Sequence, residues 1–101
     1  MQLSVFSKNG AAVRLSDERW AHITEEHCEL AGLRQEVMEA IAQPERVLAR
    51  GAGGLLALRE TEHGKWLVAV YREFKKDDGF VITAFLTRRR AALERRRQLW
   101  P

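Results

Sequence analysis

The sequence predicts an α+β domain, with two N-terminal helices packed on a four-stranded antiparallel sheet meander. Three observations lead there. Apolar residues recur at helical spacing from Trp20 to Ile41, then alternate with a period of two from Arg46 to Thr87, and short turn-rich connectors separate the alternating runs. Short links between neighbouring strands imply hairpins, and helices grouped ahead of such strands imply one layer of each.

Taken in order, residues 1–14 hold Leu3, Val5 and Ala12 to Leu15 around Ser7-Lys8-Asn9-Gly10. The Asn-Gly pair favours a tight turn, so this stretch reads as a weak N-terminal hairpin or extended arm. Ser16 reads as an N-cap whose hydroxyl accepts from first-turn amides, with Asp17 and Glu18 where the helix dipole favours acids. Trp20, Ile23, His27 and Leu30 then fall on one stripe, and Gly32 ends or kinks that helix. A second helix from about Leu33 to Ala42 carries Leu33, Val37, Met38 and Ile41 on one face, and Pro44 stops it. Four strands follow: Arg46 to Arg50, Leu55 to Thr61, Trp66 to Phe74 and Phe80 to Thr87. Ala91 to Trp100 reads as a last helical turn or two, with Leu93 and Trp100 able to dock. The whole, residues 1–101, is one domain without repeats or linker, closed by a basic segment over 88–101.

Composition narrows the function classes. A chain of this length holds one core and buries roughly 65% of the surface its unfolded form exposes. No apolar run approaches the ~18 residues a membrane span needs, and the first ten residues lack the pattern of a signal peptide. The lone Cys28 has no internal disulfide partner, which suggests a reducing, cytoplasmic setting. The net charge of +3 conceals an asymmetry, because residues 88–101 carry six arginines against one acid, Glu94. Such a cluster attracts phosphate backbones without base selectivity, although a basic chain end can equally be a solvated tail.

Two segments carry the candidate chemistry. The run Arg19-Trp20-Ala21-His22-Ile23-Thr24-Glu25-Glu26-His27 puts two imidazoles on a short amphipathic helix. The run Gly79 to Arg88 puts Thr83 and Thr87 at strand spacing and leads directly into arginines. Strand alternation lets Arg59, Tyr71, Thr83 and Thr87 gather on one sheet face if the register allows. Cleaving RNA through its own 2′-hydroxyl needs a base for that proton, an acid for the leaving 5′-oxygen and donors for the charge between them. Histidine, hydroxyl and arginine side chains supply all three. Each has a structural alternative: His27 as a packed stripe residue, His22 as a solvent-facing one, the threonines and Tyr71 as strand filler. No metal site is expected, since His22 and His27 are five residues and about 140° apart on a helix and lack the four-residue step that aligns two ligands. No glycine-rich phosphate loop leads from a strand into a helix, so no cofactor is expected either.

The pattern Leu15-x4-Trp20-x-His22-Ile23-x3-His27-x-Glu29, the break at Pro44, Val70-Tyr71, and Gly79-Phe80-Val81-Ile82-Thr83-Ala84-Phe85 together resemble the barnase–EndoU–colicin–RelE nuclease superfamily. The resemblance is to its small phage and bacterial toxin-type members and covers roughly Leu15 to Trp100. It implies a metal-independent endoribonuclease toxin with RNA as substrate and a companion protein, such as a small acidic antitoxin, holding it in check. Carried over residue by residue, it points to His22, His27, Tyr71 and Thr83 as catalytic. Arg46, Arg59, Thr87, Arg88, Arg89 and Arg90 become the phosphate contacts. A non-catalytic nucleic-acid-binding module and a basic protein-interaction domain are the competing readings.

Overall fold

The computed structural model describes residues 3–75 and 77–101. In chain order its elements are β1 (Leu3–Phe6), β2 (Ala12–Leu15), α1 (Asp17–Glu26), a 3₁₀ turn (Cys28–Leu30) and α2 (Arg34–Ala42). Then come β3 (Arg46–Gly51), β4 (Gly54–Glu62), β5 (Lys65–Lys75), β6 (Asp78–Thr87), α3 (Arg90–Glu94) and β7 (Gln98–Trp100). The expected two helices on a four-stranded antiparallel meander are not what forms. Among the described residues, seven strands make one mixed sheet in the order β1-β2-β6-β5-β4-β3-β7, with three helices.

The difference comes from the chain ends. A bare meander leaves β3 and β6 with unpaired backbone donors and acceptors along its two edges. The terminal segments fill both. β2 runs parallel to the start of β6, Val13 opposite Gly79, and carries β1 on its outer side through antiparallel pairs such as Val5 with Val13. At the other edge β7 pairs with β3, Trp100 opposite Val47. The last segment is therefore one short helix followed by a strand. The turn between β1 and β2 uses Gly10 at φ +86, a conformation that L side chains rarely adopt. Lys8 in that turn places its ammonium 4.8 Å from the Trp100 ring centroid, so the loop beside one edge reaches the strand at the other.

Serine at the start of α1 caps it: the Ser16 hydroxyl accepts from the Arg19 N–H at 3.1 Å. The helix stops at Glu26. His27 still donates its N–H to the Ile23 carbonyl at 2.8 Å, but its φ of −129° leaves the helical region. The stripe expected to run through His27 to Leu30 is thus broken, and Leu30 reaches the core from the 3₁₀ turn instead.

Both sheet faces are packed, but unequally. On one, Ile23, Leu30, Val37 and Ile41 lie over Leu67, Tyr71 and three alanines, Ala57, Ala69 and Ala84. Those alanines stand in register across β4, β5 and β6, a floor of small side chains on which α2 rests against β4 and β5. Burying a side chain such as Ile41 or Leu67 there contributes about 1.5–3 kcal/mol relative to exposure. On the opposite face Leu48, Leu56, Leu58, Trp66, Val68 and Val70 form a second cluster, over which α3 lays Leu93. A register shift between Val70 and Tyr71 makes Ile82 an extra residue in β6 and turns it toward this second cluster. Gly79 is fixed by a close approach, because a Cβ there would meet the Arg72 carbonyl oxygen at 2.5 Å.

Candidate nucleic-acid interface

The predicted site residues are scattered over several separate places. Tyr71 and Arg59 lie on the helix-covered face, in register with Leu55 and Leu67 respectively, while Thr83 and Thr87 pair with Val70 and Trp66 on the opposite face. The expected gathering of the four on one surface does not occur. Tyr71 is 1% exposed, and burial, followed by the charge of Glu73, pushes its hydroxyl well above the ordinary phenol range. It cannot reach a phosphate in solvent. Arg59 is occupied structurally, its Nη1 donating to the Gln43 carbonyl at 2.7 Å where α2 ends.

His22 stands on the outward side of α1. Its Nε2 lies 3.1 Å from Glu26, one helical turn on, and its side chain is more than half exposed. The concavity beside it is lined by Ser16, Glu18, Arg19, Ala21, His22 and Glu25, all from one helix and its cap. With no opposing wall, and with Glu18 and Glu25 in its lining, it disfavours a phosphate.

His27 is placed differently. Because α1 ends at Glu26, its ring swings toward β6, with its centroid 6.2 Å from that of Phe85 at an interplanar angle of 39°. Its Nδ1 faces Glu29 Oε2 at 3.7 Å, and the side chain remains 31% exposed. Phe85 in turn lines a groove of about 310 Å³ on the face away from α1 and α2. The floor of this groove is Leu56, Val70, Thr83 and Thr87; its far wall is Ala92 and Leu93 of α3, with Arg50, Arg89 and Arg96 at the rim. The Thr87 hydroxyl oxygen accepts from the Arg89 N–H at 3.1 Å, which leaves its own hydrogen to donate elsewhere. Arg96 is braced by donating from Nη1 to the Arg50 carbonyl at 3.1 Å.

The other arginines divide. Arg88 donates to the His63 carbonyl at 3.5 Å and lies 4.0 Å from Glu62, at the β4–β5 turn. Arg90 is paired with Glu94 at 2.7 Å within α3. Arg46 sits over the Trp66 ring, 5.8 Å from its centroid, near the far end of the same face as the groove. Of the predicted phosphate contacts, Arg89 and Thr87 line the groove. Arg50, Arg96 and Phe85 are groove residues that sequence reasoning misses. Alternation through Arg46, Leu48 and Arg50 would place Arg50 with Leu56 and Val70, but only once the β3–β4 register is known.

Among the described residues no group of three or more histidine, cysteine, aspartate or glutamate side chains stands close enough together to hold a metal ion. No helix among them is long and apolar enough to cross a membrane. No family profile, curated protein or solved structure matches this chain.

Proposed function

We propose that this protein is a metal-independent ribonuclease of the barnase–EndoU–colicin–RelE kind, acting in the Phe85 groove with His27 as its proton-transfer group. One observation carries the reading: His27 lies against the same Phe85 ring that lines a groove bearing two hydroxyls and three guanidinium groups. Glu29 Oε2 stands 3.7 Å from Nδ1, close enough to attract an imidazolium, and Nε2 is the nitrogen assigned to proton transfer.

In the reaction, Nε2 takes the 2′-hydroxyl proton as O2′ attacks phosphorus. The bond from phosphorus to O5′ breaks, and the imidazolium returns the proton to O5′. The products are a 2′,3′-cyclic phosphate and a free 5′-hydroxyl. Thr83 and Thr87 donate to the non-bridging oxygens, and Arg89 and Arg96 balance the charge that builds on them. A partner that silences such an enzyme would present acidic side chains to the same three arginines, which is the place for the companion protein the resemblance implies.

The test is cleavage of mixed RNA in excess EDTA by wild type, His27→Ala and His22→Ala. A proton-transfer histidine contributes about 10²–10⁴-fold, so His27→Ala should lose at least a hundredfold while His22→Ala cleaves as wild type does. Full activity in His27→Ala, or activity abolished by the chelator, removes the proposal.

A further inference from the structure

Phe74 and Phe80 belong to neither hydrophobic cluster. They stand 47% and 38% exposed with ring centroids 5.8 Å apart, on the sheet face that carries the groove. They lie at the hairpin end of the two central strands, where two exposed rings in contact form an apolar patch that a ligand's flat surface can cover.

Their neighbours say which ligand. In the sheet register Phe80 is flanked by Arg72 on β5 and by Arg14 on β2, of which Arg14 is paired with Asp78 at 3.2 Å and Arg72 is the cation that counts here. Arg72 extends over Gly53, where its guanidinium is within 3.2 Å of the position a Cβ would take, so the missing side chain leaves it room to lie along the surface. A second concavity, lined by Arg50, Arg72 and Ile82, joins this end to the groove, because Arg50 borders both. Cations thus run from Arg89 and Arg96 through Arg50 to Arg72, and the line ends on two stacked-out rings. Because Ile82 is an extra residue, Phe80 and Thr83 oppose Arg72 and Val70, two residues apart on β5 and roughly 7 Å at the strand rise.

We infer that Phe74 and Phe80 are a base-stacking platform that makes this surface selective for single-stranded RNA, holding bases next to the groove. The inference rests on the reading of the groove as an RNA site and names the form of RNA it takes. Aromatic faces accept any unpaired base, whereas a duplex keeps its bases stacked on one another and offers only its backbone.

The test measures binding of a fluorescein-labelled 12-nucleotide strand with 2′-O-methyl sugars, which cannot be cleaved, and of its blunt duplex. Phe80→Ala and Phe74→Ala should each weaken single-strand binding about tenfold. Duplex binding should be unchanged in both, and Phe80→Trp should bind the single strand at least as well as wild type. Both rings are exposed, so the variants should melt with the wild type. Equal affinity of the alanine variants and wild type for the single strand, equal losses on strand and duplex, or no single-strand binding by wild type overturns the platform. The two readings separate cleanly. A wild type that stacks the strand but never cleaves unmodified RNA loses the catalytic proposal and keeps the platform. A wild type that cleaves while the alanine variants bind normally does the reverse.

Discussion

The helix-covered face of the sheet and the face opposite it treat the same residue types in opposite ways. Under α1 and α2, arginines are structural ties: Arg59 donates to the end of α2, and Arg34 joins the Leu15 carbonyl at 2.9 Å to Asp17 at 2.6 Å. The one tyrosine is sealed in the core there. Across the sheet Arg50, Arg72, Arg89 and Arg96 are exposed beside half-covered hydroxyls and aromatic rings. Residue type therefore says little about function in a two-faced sheet until the face is known. What separates the two sets is exposure: Arg59 and Arg34 are part-covered where they bond, whereas Arg50, Arg72, Arg89 and Arg96 stay exposed, even though Arg96 also donates to the Arg50 carbonyl.

The sharpest way to break this comparison is to damage the covered face. Leu67 is 1% exposed beneath the helices, so Leu67→Ala should destabilise the fold by about 2–5 kcal/mol through reduced burial and an unfilled cavity. Urea denaturation monitored by circular dichroism would show it as a lower midpoint with an unchanged slope. A loss under ~1 kcal/mol would mean that this face is not where stability resides.

A second prediction sharpens the contrast at Tyr71. Its hydroxyl stays protonated in the folded state at pH values where an unfolded tyrosine has already ionised. The folded state then binds more protons than the unfolded state, so stability must fall as pH rises. The tyrosine's contribution is fully present below the unfolded pKa near 10 and is lost above it, with a slope of up to about one proton per molecule. Comparing wild type with Tyr71→Phe in urea titrations from pH 8 to 11 isolates that slope from the lysines, which both proteins share. Parallel curves would place the hydroxyl in contact with water, against the burial of this face.

These two sites show how far the sequence can be read. Period-two alternation locates the four meander strands within a residue or two at each end, because Val, Leu and Ala face a core on both sides there. It does not show which strand faces meet. Thr83 opposes Val70 while Val81 opposes Tyr71, since Ile82 is an extra residue, and nothing in Val81-Ile82-Thr83 announces a bulge. The N-terminal hairpin is legible from Asn9-Gly10, but the docking of its β2 on β6, and the strand β7 on β3, are not, for another reason. Ala12–Leu15 and Gln98–Trp100 are four and three residues long, too short for a period to show, and they exist because β6 and β3 offer unpaired edges. His27 reads as part of a helix stripe, yet its position against Phe85 depends on the helix stopping one residue earlier.

The smallest expected effect tests the open face directly. In the double variant Arg89→Gln, Arg96→Gln, both side chains border the groove and both residues are exposed. Neither change opens a cavity or strands a buried charge, so stability should stay within about 0.5 kcal/mol of wild type. Removing Arg96 does take away the bond to the Arg50 carbonyl, but that bond is exposed and water replaces it. RNA affinity should respond where stability does not. Each phosphate-neutralising arginine removed lowers the slope of log affinity against log salt by about 0.7 for a single strand, so the pair should lower it by roughly 1.4. Binding measured from 50 to 300 mM salt gives that slope. An unchanged slope with weaker binding would mean that the two arginines shape the groove rather than touch phosphate, and the line of cations along this face would then begin at Arg50.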